Sequence, residues 1–199
     1  MMEIDIPGFR KCLIMSFLCD HCGYKSNEVK PTAQYGDKGA KWTLNVTCIE
    51  DLSRDILKSD SASISLPSLE LDLEPGTLGG VFTTIEGLLV RIHDEIIDKF
   101  KLILGDSKDE KNKQILLFVL QQLKGHLEGT SLPFTLILDD CADLSHIGSI
   151  GDELLFFSNP GKPNEQKTKK DANLTKEFYE RNEDQNIFLG IADMKVEDY

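Results

Sequence analysis

Between residues 41 and 49 every second position is apolar: Trp42, Leu44, Val46 and Cys48 share one face. A period of two marks a half-buried strand. Residues 11–18, Lys11-Cys12-Leu13-Ile14-Met15-Ser16-Phe17-Leu18, read as another strand, and Pro31 to Gly39 between the two is rich in turn formers. Alternation returns over residues 61–74 through Ile64, Leu66, Leu69, Leu71 and Leu73. Its phase shifts at Pro67, which predicts a bulge or break there.

The period then lengthens. From Phe82 the apolar positions are Ile85, Leu88, Leu89, Ile92, Ile96, Phe100 and Ile103, the stripe of an amphipathic helix. Thr83-x-x-Glu86 has the pattern of a capping box at its start, and Gly105 suits the left-handed residue that stops it. Ser107-x-x-Glu110 repeats the capping pattern, an apolar stretch runs from Ile115 to Leu127, and Gly129 and Pro133 close it. Two helices joined so tightly form an antiparallel hairpin. Beyond it, Phe134 to Leu138 reads as a buried strand and Leu154 to Phe157 as a short one. Residues 159–172 hold Lys162, Lys167, Lys169 and Lys170 with Ala172 as their one hydrophobe, and read as a mobile surface loop. Leu174 to Asp184 reads as a short helix, and the tail from Asn186 to Tyr199 as irregular. Strands, a helical hairpin and strands again make an interrupted, mainly β domain of the α+β kind.

Composition narrows the function. The chain has 199 residues, 40% hydrophobic and 28% charged, which suits one compact soluble domain. No apolar run approaches the ~20 residues of a membrane span. Glu3 and Asp5 open the chain without the basic-then-apolar pattern of a secretory signal. Five cysteines, an odd number, fit a reducing compartment better than a disulfide framework. The net charge of −12 opposes direct nucleic-acid binding, which draws its affinity from Lys and Arg on phosphates. An acidic surface serves solubility, and it also suits a partner with a basic face.

Candidate chemistry concentrates at Cys19-Asp20-His21-Cys22-Gly23. A CxxC followed by Gly turns two thiolates toward one tetrahedral zinc. A structural zinc needs four ligands, and Cys12, Cys48 and Cys141 make no second CxxC. Cys12 shares strand parity with Ile14, Ser16 and Leu18, so it is expected to pack. His21 lies inside the knuckle and cannot reach the same metal. Redox use of the pair would need a helix starting at the first Cys, whereas the residues before Cys19 read as a strand. Two His-x-Glu strings, His93-Asp94-Glu95 and His126-Leu127-Glu128, fall on predicted helices, where positions two apart face different ways. His146 has Asp143 nearby but no strand context, so no triad of two His and a carboxylate is assembled. No G-x-S-x-G elbow or phosphate loop is present. Gly76-x-x-Gly79-Gly80 reads as a tight connection rather than an anion site, and Asp139-Asp140 as a solvated turn at a strand end.

The wording of the sequence points to a family. Ile6-Pro7-Gly8-Phe9, Ile14-Met15-Ser16-Phe17 and Cys19-x-x-Cys22-Gly23-Tyr24-Lys25-Ser26-Asn27-Glu28-Val29-Lys30 resemble the finger of the ZPR-type zinc-finger protein family. Asp51-Leu52-Ser53-Arg54-Asp55-Ile56-Leu57-Lys58-Ser59, Pro75-Gly76-Thr77-Leu78-Gly79-Gly80, Phe82 to Leu89, Phe134 to Asp140, and Gln185-Asn186-x-x-Leu189-Gly190-x-x-Asp193-Met194 extend the resemblance in order. It implies a partial zinc-finger β-ribbon over residues 1–35. A jelly-roll-like double-stranded β-helix over 36–199 follows, with the hairpin inserted at 82–129. This pair of parts resembles the C-terminal module of eukaryotic members.

The resemblance makes Cys19 and Cys22 half of a four-cysteine zinc site whose other pair lies upstream of this stretch. Zinc is then expected to be weak or absent on this chain alone. It further implies a non-enzymatic binding protein of cytoplasm and nucleus. The expected partner is translation elongation factor one-alpha, for which it acts as a folding factor, with receptor tyrosine kinases as further partners. The alternatives are a metal-dependent enzyme on the jelly-roll scaffold and a signalling adaptor. The chain departs from the family wording at Cys141 and Leu144-Ser145-His146. It departs again at Ile187-Phe188, where two hydrophobes replace acidic residues and are expected to pack into the domain.

Overall fold

A computed structural model of the chain describes residues 1–5, 11–23, 25–106, 110–149 and 171–192. The fold is mainly β, with every described strand pairing antiparallel. β1 (Met2–Asp5), β2 (Lys11–Leu18) and β3 (Lys25–Pro31) form a three-stranded ribbon with β2 in the middle. β4 (Gly39–Val46), β6 (Ala62–Leu66), β7 (Leu71–Leu73), β9 (Phe134–Asp140) and β11 (Leu174–Tyr179) build a five-stranded sheet in the order β11-β4-β9-β6-β7. β5 (Asp55–Lys58), β8 (Val81–Thr84) and β10 (His146–Ile147) form a smaller sheet in the order β10-β5-β8. The described helices are α1 (Ile85–Asp106), α2 (Glu110–Leu127) and α3 (Glu183–Phe188).

The period-two reading finds the centre of the large sheet. Ala40, Trp42, Leu44 and Val46 are buried, and Trp42, Leu44 and Val46 stand opposite Leu138, Leu136 and Phe134. The strand stops at Val46, short of the expected 49, because Cys48 opens a 3-10 turn over Ile49–Ser53. The break at Pro67 is real. A 3-10 turn over Pro67–Leu69, ended by Glu70 at φ 49°, reverses the chain so that β7 pairs back on β6.

The helical stripe holds as far as Ile96: Ile85, Leu88, Leu89, Ile92 and Ile96 are all buried in the core with Leu123 of α2, while Phe100 is exposed. The start of α1 is later than Phe82, however. Residues 81–84 pair with β5 as a strand, and Gly87 N–H donates to Thr84 Oγ1 at 3.1 Å, so Thr84 caps the helix in place of Thr83. Gly105 does not stop α1, which runs to Asp106 with a kink at Phe100 (φ −109°, ψ 19°). Gly129, at φ 73°, closes α2 as expected.

The expected helix over 174–184 is a strand and then a shorter helix. Leu174 to Tyr179 pair with Leu44 to Gly39 along the sheet edge, and this ladder outweighs the helix propensity of Lys176 and Glu177. Asn182 then caps α3, accepting from Gln185 N–H at 2.8 Å, while Gln185 Oε1 accepts from Asn182 N–H at 3.0 Å. The tail is therefore helical through Phe188. The second capping box at Ser107, the strand at 154–157 and nearly all of the lysine-bearing loop lie outside the described residues.

Candidate functional site

The knuckle sits at the tip of the ribbon. β2 ends at Leu18, and Gly23 N–H donates to Cys19 O at 2.9 Å, closing a turn around residues 19–23. Gly23 takes φ 71°, which an L side chain adopts with strain. Cys19 is half-buried, Cys22 exposed, and both are free thiols. The backbone N–H of Cys22, then that of His21, then the Cys22 thiol, hold the Cys19 thiol below its ordinary value. Two accessible sulfurs on one tight turn suit a zinc ligand pair.

No further ligand joins it within the described residues. Cys12 is fully buried with Val29 and Leu57, as its strand parity predicts. Burial pushes the Cys141 thiol up to about 11, and its sulfur faces Ser61 O. Cys48 sits beside Asp51 in the 3-10 turn. No group of three or more His, Cys, Asp or Glu is placed to hold a metal among the described residues.

The glycine run fixes where the ribbon stands. Val29 N–H on β3 donates to Gly80 O at 3.1 Å, and a Cβ on Gly80 would lie 2.0 Å from Val29 O. Only glycine permits that approach. Leu57 of β5 packs with Cys12 and Val29 on the same side, so the ribbon is seated on the small sheet. Lys58, fully buried next along β5, donates to Ser59 O at 3.0 Å and Gly79 O at 3.3 Å, and burial pushes it below its ordinary value. Gly80, at the end of the Gly76-Gly80 connection, is therefore where the ribbon docks on the small sheet, a role spacing alone did not reveal.

Asp139-Asp140 is not a solvated turn. Asp140 is fully buried; its Oδ2 accepts from Ser59 Oγ, Ser145 Oγ and Leu144 N–H, and its Oδ1 from Ser61 Oγ and Ala142 N–H. Five donors replace the lost water, which is the condition for keeping a carboxylate in a core. Asp139 accepts from Tyr179 Oη at 2.5 Å. A second buried network ties Arg54 to Asp51, Asp171 and Gly148 O. The histidines stay apart. His93 lies on α1 beside Asp94, and His126 is buried at the end of α2 against Phe134. His146, read as lacking a strand, pairs with Leu57 in β10 and meets the Trp42 ring edge-on.

The comparisons with known proteins agree with this layout. A family model described as the ZPR1 jelly-roll domain matches residues 50–154, more than half of the chain, and one described as the ZPR1 zinc-finger domain matches residues 1–37. An uncharacterised ZPR1-like protein of Methanocaldococcus jannaschii is 30% identical over 151 residues, covering 75% of this chain and 72% of its own length.

The chain belongs to the ZPR1 family.

Among eukaryotic ZPR1 relatives, the zinc finger chaperone zpr1 of Schizosaccharomyces pombe is 44% identical over all 199 residues. The zinc finger protein ZPR1 of Homo sapiens is 35% identical over the same span. The chain covers 40% of the length of each. Within the ZPR1 frame, the finger match contains the knuckle and the jelly-roll match contains the Asp140 hub and the hairpin.

The apolar surface differs from expectation in one place. Ile187 and Phe188 are 60% and 57% exposed rather than packed. A six-residue helix held by its capping box and by Arg181 Nε to Asn186 Oδ1 turns both side chains outward. On α2, Ile115, Leu117 and Phe118 are likewise exposed.

Proposed function

We propose that this chain is a non-catalytic zinc-finger binding module, a folding factor whose client is translation elongation factor one-alpha. The observation that carries the reading is the outer face of the hairpin. Ile115, Leu117 and Phe118 stand exposed on α2, while Leu116, Val119, Leu120 and Leu123 of the same helix anchor it to the core. Exposed clusters of large hydrophobes mark protein-interaction surfaces. The net charge of −12 steers the chain toward a basic, nucleic-acid-binding client. The name of the Schizosaccharomyces pombe relative, a chaperone, supports the same assignment. Residues 1–35 act as the finger and 36–199 as the client-facing domain, working in cytoplasm and nucleus, and receptor tyrosine kinases are secondary partners. Zinc, held by Cys19 and Cys22 with ligands from outside the chain, would stiffen the ribbon.

The test is calorimetric titration of the chain with purified elongation factor one-alpha, beside Ile115→Ser/Phe118→Ser. Saturable binding, weakened about tenfold or more by the double substitution, is expected because two hot-spot hydrophobes contribute ~1 kcal/mol or more each. Absence of binding by the folded wild-type chain overturns the proposal.

A further inference from the structure

One guanidinium builds the corner that carries α3. Arg181 Nη1 donates to Gly36 O at 2.7 Å and to Cys141 O at 3.1 Å, and its Nε donates to Asn186 Oδ1 at 3.2 Å. These bonds tie α3 to the loop before β4 and to the residue that follows β9. Gln185 Nε2 adds a bond to Tyr179 Oη at 3.1 Å, and the N–H groups of Leu189 and Gly190 close the helix end on Gln185 O and Ile187 O. Ile187 and Phe188 therefore stand exposed on a fixed helix, not on a loose tail. Tyr35, beside Gly36 in the same corner, is exposed as well. An apolar pair held in place has little freedom left to lose on docking.

The charges around this pair are of one kind. In residues 35–38 and 180–192 the exposed charges are Asp37, Lys38, Glu180, Glu183 and Asp184. Of these five only Lys38 is positive, and it is paired with Glu180. Arg181 is turned inward by its three bonds. An apolar centre with an acidic rim complements a surface whose apolar anchor is ringed by Lys and Arg. We infer that the α3 corner is a second contact for the client, taking a basic surface that carries an aliphatic or aromatic anchor. The inference rests on the reading of the chain as a binding module for a basic client. Ile187 and Phe188 lose water on docking, while Asp37, Glu183 and Asp184 steer the cationic groups toward them. This contact is separate from the hairpin, whose exposed residues belong to α2 and are positioned by the core rather than by Arg181.

The experiment titrates the full 199-residue chain with purified elongation factor one-alpha by calorimetry, at low and at high salt. The variants are Ile187→Ser/Phe188→Ser and Glu183→Gln/Asp184→Asn, each checked for a circular dichroism spectrum like that of the wild type. Ile187→Ser/Phe188→Ser should weaken binding about tenfold at both salt concentrations, because two apolar anchors are lost. Glu183→Gln/Asp184→Asn should weaken it about threefold at low salt and match the wild type at high salt, where rim charges are screened. Wild-type binding that Ile187→Ser/Phe188→Ser leaves unchanged overturns the second contact and leaves the client reading standing. A carboxamide variant that binds like the wild type at low salt overturns the basic character of the docked surface. A folded wild-type chain that does not bind overturns both the client reading and this inference.

Discussion

Replacing Asp140 with Ala tests whether the jelly-roll is closed by one buried carboxylate. Asp140 ends β9 and gathers Ser59 and Ser61 from the β5–β6 turn with Ala142, Leu144 and Ser145 from the β9–β10 connection. Removing it strands five donors. The three hydroxyls have partial substitutes, since Ser59 Oγ lies 2.9 Å from Ser61 Oγ and 3.1 Å from Ser145 Oγ. The N–H groups of Ala142 and Leu144 lose the acceptor that holds them, and each buried orphan costs ~1–3 kcal/mol. Adding a cavity of carboxylate size brings the expected loss to about 4 kcal/mol. That is a large part of a typical domain's ~5–15 kcal/mol. Asp140→Asn keeps one acceptor but points an NH₂ at donors, and should cost about half as much. Ser59→Ala, Ser61→Ala and Ser145→Ala should each cost about 1 kcal/mol. Urea unfolding followed by tryptophan fluorescence reads this directly, because Trp42 Nε1 donates to Ser145 O within the same connection. The midpoint should fall with the m-value unchanged. If Asp140→Ala costs under about 1 kcal/mol, the carboxylate is not the closing element and the reasoning fails.

Gly80→Ala forces a Cβ to within 2.0 Å of Val29 O, so the ribbon must lift; hydrogen exchange should accelerate in β2 and β3 while β4 and β9 stay protected, and unchanged ribbon protection refutes the docking role. Burial, only partly opposed by the bond to Ser131 O, lowers the pKa of His126 from 6.5, and its Nε2 has no hydrogen-bond partner among the described residues. The unfolded chain therefore binds the proton first, so stability from this group is complete above pH 6.5 and is lost as pH falls through the window beneath it; His126→Phe should flatten that part of a stability–pH profile, and an identical profile refutes it. Ile187→Ser/Phe188→Ser should change stability by no more than about 0.5 kcal/mol, since both side chains already face water; a loss above about 2 kcal/mol would mean they pack.

The parts of the fold that sequence reading recovered are those where one period dominates. β4, β6 and α1 each bury a single face. Trp42 and Leu44 on β4, Ile64 and Leu66 on β6, and the Ile85 to Ile96 stripe on α1 report it directly. Strands whose burial is set by neighbours carry no such signal. β5 is buried at Ile56, Leu57 and Lys58 in succession because sheet, core and ribbon meet there, so no alternation survives. β8 merges with the pattern of the helix that follows it, since Thr83 and Thr84 both look like caps. At the candidate site the tight turn of the CxxC-Gly knuckle was legible because it is local. The Asp140 hub was not, because Ser59 and Ser61 lie 81 and 79 positions away in sequence and are brought in only by the β6–β9 pairing. The outward turn of Ile187 and Phe188 was hidden for the same reason: packing of a short tail depends on what the rest of the surface leaves open.

If the chain assists the folding of elongation factor one-alpha and performs no chemistry of its own, it must raise the recovery of active client. The direct readout is the yield of GTP-binding elongation factor one-alpha after dilution from denaturant, with and without this chain at equal concentration. A clear rise in yield, removed by Ile115→Ser/Phe118→Ser, is expected. A yield no higher than that with an inert acidic protein would show that the chain is not a folding factor for this client.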